Sequence, residues 1–340
     1  MQPILKLDAV SRQFRSAPDF AQRIADLLTR KNSEQIVRAV DDIDLDVMPG
    51  EIVGIVGESG CGKSTLARIV SGILPPSNGR VLLEGRDMAT MKEADRRKAS
   101  LSVQMVFQDA TASLNPRKRV VETIGEAAVV HGIVSSGEAV AYVSDLMARV
   151  GLDPASRNLY PHQFSGGQRA RIGIARALAV KPRILVCDES TAALDVSIQA
   201  QILNLFVQLK RDLDLTYIFV SHDLGMIENF CDRIAVMYLG RIVEMAETEA
   251  LFASPQHPYT RALLKEIPTL EPKKRAFTAI KGEMPSPLNP PSGCHFHPRC
   301  VMAQAICSSD SPALREIAPL RLAACHFAGD VETRVLSDVI

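Results

Sequence analysis

The chain has no excess charge of either sign. Across 340 residues, Lys plus Arg equal Asp plus Glu at 39 each. No overall field therefore draws it to nucleic acid or to an anionic membrane. Local basic runs such as Arg96-Arg97-Lys98 and Lys273-Lys274-Arg275 read as solvated faces. No apolar stretch approaches the about eighteen residues that cross a bilayer. The first residues, Met1-Gln2-Pro3-Ile4-Leu5-Lys6, have no secretory pattern. These absences predict a chain that stays in the cytoplasm, with any membrane attachment made through a partner. A hydrophobic content of 46 % is that of an ordinary globular protein, and the length allows two compact domains.

What is present begins with Gly57-Glu58-Ser59-Gly60-Cys61-Gly62-Lys63-Ser64-Thr65, a G-x-x-x-x-G-K-[ST] loop directly after the apolar run Ile52 to Val56. The glycines let backbone N–H groups turn inward around phosphate oxygens, and the helix expected over Thr65 to Ile73 offers its positive end to the same anion. Lys63 reaches the β- and γ-phosphates, and Ser64 supplies a hydroxyl to Mg²⁺. The spacing thus predicts a nucleoside triphosphate site. Cys61 reads as a small filler of the loop, although a helix N-terminus can lower a thiol pKa.

Ile4 to Val10 and Ile43 to Val47 alternate as strands do. Between them Phe20, Ile24, Leu27 and Leu28 share one helical face, which predicts an amphipathic helix in a surface loop over about 16–37. Val103 to Phe107, Ile184 to Cys187 and Tyr217 to Val220 read as buried strands, with helices around Ala170 to Val180 and Ile198 to Asp212. Strands alternating with helices predict an α/β fold around a parallel, doubly wound sheet. Residues 109–164 are helical in pattern and read as a subdomain set into that core. After about Leu251, Pro268, Pro272, Pro285, Pro287, Pro290 and Pro291 mark a linker to a smaller piece that carries four of the seven cysteines.

The run Ile184 to Cys187 leads into Asp188-Glu189, so a buried strand delivers two carboxylates to the sheet edge where the nucleotide is expected. Asp188 would hold Mg²⁺, and Glu189 would be the base that polarises attacking water. Phe164-Ser165-Gly166-Gly167-Gln168 opens another helix, Ser190 to Asp195 follows the carboxylates, and His222 comes just after the strand ending at Val220. This ordered set, over about residues 4 to 250, resembles the ATP-binding cassette (ABC) ATPases. The resemblance implies an α/β P-loop NTPase (RecA-like) core with an inserted helical subdomain at about 109–164, and a small extension over 251–340. It also implies roles. Gln108 senses Mg²⁺ and the attacking water. Ser165, Gly166, Gly167 and Gln168 contact the γ-phosphate held by a second subunit, Asp195 links the two sites, and His222 contacts the γ-phosphate and Glu189. Phe14 stands where the family stacks an aromatic on adenine, with a core phenylalanine as the alternative. Phe164 replaces the leucine commoner in the family and keeps an apolar anchor.

His257 to Leu264, the proline-rich stretch and the cysteines resemble the C-terminal extension of ATPase subunits of dipeptide and oligopeptide importers, especially their "F"-type subunits. That resemblance implies uptake of di- or oligopeptides, or of a related solute such as nickel, glutathione, an opine or a sugar conjugate. It implies as partners a second ATPase subunit, a paralogue, two transmembrane permease subunits and, indirectly, a substrate-binding protein, with no nucleic acid. The place implied is the cytoplasmic face of the inner membrane, as a peripheral subunit. A soluble cassette ATPase acting on ribosomes or DNA would carry two cassettes or a long coiled coil, and the sequence has neither; an exporter subunit is disfavoured by the importer-like C-terminus. Cys294, Cys300, Cys307 and Cys325 are spaced C-x5-C-x6-C-x17-C. The spacing lacks the tight C-x2-4-C pair of structural zinc, and some of the peptide-importer ATPases that the chain resembles carry a [4Fe–4S] centre at such cysteines. The expectation is such a cluster, with zinc or unmetallated packing cysteines as alternatives.

Overall fold

Two sheets share the chain. The computed structural model describes residues 2–16, 35–109, 112–191, 194–267, 280 and 282–329. β1 (Leu5–Ser16) runs antiparallel to β2 (Gln35–Val47), with Phe14 opposite Val37. β3 (Ile52–Val56) then enters a second sheet and ends at the loop before α1 (Lys63–Val70). β4 (Asn78–Leu83) returns to pair with β1 and turns into β5 (Arg86–Asp87), completing a four-stranded antiparallel sheet in the order β2-β1-β4-β5. α2 (Glu93–Ser102) exposes its basic run Arg96-Arg97-Lys98 and leads into β6 (Val103–Val106).

From β6 to residue 183, no strand occurs among the described residues. The segment holds α3 (Val120–Val130), α4 (Ala139–Arg149), two 3-10 turns (Pro154–Asn158 and Pro161–Gln163) and α5 (Gly166–Leu178). β7 (Ile184–Asp188), α6 (Val196–Leu213), β8 (Thr216–Ser221), α7 (Leu224–Glu228), β9 (Arg233–Tyr238) and β10 (Arg241–Glu247) follow. β9-β3-β8-β7-β6 are parallel neighbours, and β3, β7 and β8 are buried at every residue. Continuous burial follows from cover on both faces. Successive side chains alternate between two cores, as the twofold strand period requires. Ile52, Val56, Leu185, Cys187, Tyr217 and Phe219 enter the core shared with α3 to α6; Val53, Ile55, Ile184, Val186, Ile218 and Val220 enter the one shared with α1 and the small sheet.

The expected α/β architecture holds, with two differences in the sheets. The large sheet is mixed: β10 joins antiparallel to β9, and the C-terminal strands β11 (Arg315–Ala318) and β12 (Arg321–Ala323) extend the same edge, giving the order β11-β12-β10-β9-β3-β8-β7-β6. The first strand is also longer than its apolar alternation suggested, because it continues past Val10 through polar residues, so Phe14 lies inside β1 rather than after it. The expected amphipathic helix with Phe20, Ile24, Leu27 and Leu28 lies outside the described residues, as do Pro268, Pro272 and the run Lys273-Lys274-Arg275. No helix among the described residues is long and apolar enough to cross a membrane.

α8 (Thr248–Ala253), α9 (Pro258–Lys265) and α10 (Ala305–Ser309) complete the elements. The turn between α8 and α9 is tied to the sheet by a buried carboxylate: Glu244 of β10 accepts the Gln256 and His257 N–H groups at 2.7 and 2.8 Å. His257 caps α9, its Nδ1 accepting the Tyr259 N–H at 3.1 Å. An acceptor Nδ1 needs the neutral ring, and complete burial lowers the His257 pKa to about 3. Between about pH 6.5 and about 3 the unfolded chain binds a proton at this residue and the folded chain does not, so its contribution to stability is present above that window and is lost as pH falls through it. Relative to His257→Asn, which keeps a capping acceptor, the wild-type chain is expected to lose unfolding free energy on acidification by up to about 1.4 kcal/mol per pH unit within the window, measured by denaturant titration at a series of pH values.

Candidate nucleotide-binding site

The carboxyl ends of four adjacent parallel strands converge on one cavity. β3 ends at the glycine-rich loop, β6 just before Gln108, β7 at Asp188 and Glu189, and β8 just before His222. The register pairs Val56 with Ser221, Val220 with Asp188, and Cys187 with Val106, so residues far apart in sequence finish at the same level. A cavity of about 240 Å³ opens there, lined among others by Ser59, Gly60, Cys61, Gly62, Lys63, Ser64, Thr65, Gln108 and Glu189.

The loop is wedged between the two sheets. A Cβ added at Gly57 would stand 2.2 Å from the Met237 carbonyl oxygen of β9, and one at Gly62 would stand 2.0 Å from the Ala39 carbonyl oxygen of β2. Both glycines have positive φ, +153° and +108°, where a side chain is strained whatever the space. Gly62 caps α1, whose first residue Lys63 is almost fully buried. Its ammonium donates to the Gly57 and Glu58 carbonyls at 2.7 and 2.9 Å, held at the rim of the cradle. Cys61 is buried, and desolvation raises its pKa despite the opposing charge of Lys63. Its thiol therefore fills the loop, and the helix N-terminus does not make it acidic.

Ser64 Oγ donates to Asp188 Oδ1 at 2.8 Å. Burial raises the Asp188 pKa, and the bond from Ser64 opposes that shift. Ser64, Asp188 and the expected third ligand Gln108 all carry oxygen donors, the chemistry that suits Mg²⁺. Gln108 Nε2 donates to Glu189 Oε2 at 2.9 Å, and His222 Nδ1 lies 3.3 Å from Glu189 Oε1. Glu189 is thus gripped from both sides. Its backbone is left-handed at φ +44° and its N–H donates to the Val220 carbonyl at 3.0 Å. Such a conformation costs about 1–3 kcal/mol in a non-glycine residue and persists where the surroundings over-determine it.

Other expected site residues stand apart from this cavity. Ser165 caps α5 reciprocally with Gln168: Ser165 Oγ accepts the Gln168 N–H at 3.3 Å, and Gln168 Oε1 accepts the Ser165 N–H at 2.9 Å. Gly167 packs against Ile198 and Gly166 against Leu194, while Asp195 occupies the N-cap position of α6 without a side-chain hydrogen bond to it. None of these five lines the cavity in the same chain. Phe14 is 40 % exposed under the Arg12 guanidinium, 5.0 Å from its ring centroid, and its cross-strand partner Val37 lines the cavity in its place.

Compared with known proteins, residues 40–192 match the ABC transporter family and residues 243–307 match the oligopeptide/dipeptide transporter C-terminal region. The oligopeptide transport ATP-binding protein AppF of Bacillus subtilis is 47 % identical over 86 % of this chain and 90 % of its own. The probable peptide ABC transporter ATP-binding protein y4tS of Sinorhizobium fredii is also 47 % identical, over 87 % of this chain and 84 % of its own. The chain belongs to the ATP-binding subunits of the ABC peptide-importer family. Solved ABC proteins share its fold. CbiO1 of Clostridium perfringens, part of a transporter complex, superposes with a TM-score of 0.61 at 27 % identity over 75 % of this chain and 92 % of that one. The cassette MJ0796, solved as a dimer bound to ADP and Pi, superposes with a TM-score of 0.61 at 26 % identity over 72 % and 98 %. The present chain is an ABC-transporter ATPase.

The expectation of an iron–sulfur cluster is corrected. Among the described residues no group of three or more His, Cys, Asp or Glu side chains is arranged to hold a metal ion. Cys294, Cys300, Cys307 and Cys325 border an apolar cavity of about 20 Å³, room for about one water. Desolvation raises the pKa values of Cys294 and Cys325, and that of Cys300 to about 11. None of the four is in a disulfide.

Three contacts were not legible in the sequence. Tyr259 and Arg299 both touch Glu58 in the phosphate loop, and Pro287 lines the nucleotide cavity. Tyr259 and Arg299 lie 201 and 241 positions from Glu58, and no spacing motif announces any of the three.

The close approach at Gly62 makes a direct test. Gly62→Ala must move β2 or distort the loop, and strain of about 1–3 kcal/mol corresponds to ATP binding weakened by roughly 5- to 150-fold. Equilibrium titration with a fluorescent ATP analogue reads that loss.

Proposed function

We propose that this chain powers the import of di- or oligopeptides by closing on a second, paralogous ATPase subunit around two ATP molecules. Residues 1–250 form the ATPase cassette in this reading, 109–164 its helical subdomain, and 251–340 the C-terminal extension. The observation that carries it is the pair of half-sites in one chain: a complete phosphate loop with Gln108, Glu189 and His222 at its edge, and a separate capped helix start, Ser165 to Gln168, outside the cavity. A helix N-terminus is a ready anion site. One that stands apart from the nucleotide cavity of its own chain suits the γ-phosphate held by another.

On ATP binding, Lys63 exchanges its carbonyl partners for the β- and γ-phosphates, and the partner subunit's copy of the Ser165 to Gln168 element closes over the terminal phosphate. Ser64, Gln108 and Asp188 would hold Mg²⁺, which supplies neutralisation of charge on the phosphates. Glu189, gripped by Gln108 and His222, accepts a proton from the attacking water. His222 fixes the carboxylate and reports the γ-phosphate, Asp195 links one site to the other, and Phe14 stacks on adenine. The helical subdomain passes closure to two transmembrane permease subunits, and a substrate-binding protein presents the peptide. The chain itself sits peripherally at the cytoplasmic face of the inner membrane.

Glu189→Gln keeps the shape of the site and removes the base. Turnover by the assembled transporter is expected to fall by roughly 10²- to 10⁴-fold while ATP remains bound. Both are read by phosphate release and nucleotide retention. Normal hydrolysis by this variant rules out Glu189 as the base, and failure of the chain to co-purify with permease subunits rules out the transporter assignment.

A further inference from the structure

The phosphate loop is held by the C-terminal part of the chain. Arg299, at the end of the 3-10 turn His297–Arg299, meets the Glu58 carboxylate with both arms of its guanidinium: Nη1 donates to Oε2 at 2.7 Å and Nη2 to Oε1 at 2.9 Å. The same peptide is held a second time, because the Glu58 N–H donates to the Tyr259 hydroxyl at 2.8 Å. The Arg299 side chain is 5 % exposed and lies beside the Tyr238 ring, 5.9 Å from its centroid, with Nη1 also 3.4 Å from the Tyr238 hydroxyl. Tyr238, Tyr259 and Phe296 pack together with ring centroids 4.7 to 5.3 Å apart, so the two contacts rest on a shared aromatic base.

The consequence runs through Lys63. The Gly57 and Glu58 carbonyls that hold its ammonium belong to the peptides on either side of the residue that Arg299 and Tyr259 fix. Two physical effects follow. A bidentate guanidinium–carboxylate pair orients as well as attracts, which keeps the loop N–H groups and Lys63 in register with the phosphates. The Glu58 carboxylate also sits in the loop that receives a polyanion, and Arg299 neutralises it there; an unpaired carboxylate in that position repels the incoming charge.

We propose that Arg299 and Tyr259 are positioning residues for ATP binding, which orient the phosphate loop and mask the Glu58 charge from the C-terminal segment. The proposal deepens the reading of this loop as the ATP site and rests on it.

The test is the affinity of the full-length chain for a fluorescent ATP analogue with Mg²⁺. Wild type and Lys63→Ala establish first that the loop binds ATP; a wild type that does not bind defeats the functional reading itself. With binding established, Arg299→Ala is expected to weaken it about ten-fold, equivalent to about 1.4 kcal/mol. The double variant Arg299→Ala/Glu58→Gln, which leaves no unpaired carboxylate, is expected to recover to within about three-fold of wild type, a rescue that a merely structural role of Arg299 does not produce. Tyr259→Phe deletes one hydroxyl, and a loss of about three-fold is expected. It decides the matter if the Arg299 variants fail to fold. Arg299→Ala binding within two-fold of wild type, no recovery in the double variant, or unchanged affinity in a folded Tyr259→Phe where the others are insoluble each overturns the proposal.

Discussion

Two carbonyl oxygens, one from each sheet, fix the phosphate loop. Met237 of β9 and Ala39 of β2 approach Gly57 and Gly62 so closely that neither position has room for a Cβ. The ATP site therefore depends on the packing of the small antiparallel sheet against the large one, not on the loop alone. α1 lies where both sheets can cover it, with Leu66, Ala67, Ile69 and Val70 buried in the core they share. Any shift between the layers reaches the phosphate-binding N–H groups without a hinge, because a close-packed interior transmits displacement.

The chemistry is gathered by register. Parallel strands end together, and each of β3, β6, β7 and β8 carries at its carboxyl end one part of the site. The residues that meet at Glu189 come from positions 108 and 222 in the chain, and they meet because β7 lies between β6 and β8. The left-handed backbone of Glu189 then turns its carboxylate out of the strand direction toward both neighbours. A carboxylate held by an amide on one side and an imidazole on the other loses few degrees of freedom when a water is placed against it, which is the pre-organisation that the proposed role of Glu189 as base requires.

What could be read from sequence follows the reach of each physical cause. The run Ile184 to Cys187 announced a buried strand because burial on both faces leaves only apolar residues, and the phosphate loop announced itself because its backbone conformation demands glycine. β10 was missed because Glu244 interrupts its apolar run; that carboxylate is buried as the acceptor for the turn at Gln256 and His257, a partnership invisible along the strand. β11 and β12 follow a proline-rich stretch and read as an appendage, yet they lengthen the central sheet through pairing with β10. The cysteine spacing was legible, but how the four side chains stand around a small apolar cavity, with no arrangement among the described residues that would hold a metal, is a property of the packed chain.

The pairing of β12 with β10 and of Arg299 with Glu58 gives the C-terminal segment two attachments to the cassette, one to the sheet edge and one to the ligand loop. An attachment to the sheet alone would add stability. An attachment to the loop is different in kind, because the Gly57 and Glu58 carbonyls beside it are the ones that hold the Lys63 ammonium. Coupling free energies are reciprocal: whatever orders the segment around Arg299 favours the ATP-ready loop, and ATP in the loop favours the ordered segment to the same degree. A cassette that lacked this segment would have to supply the neutralisation of Glu58 from elsewhere, and among the described residues no other cation is paired with that carboxylate.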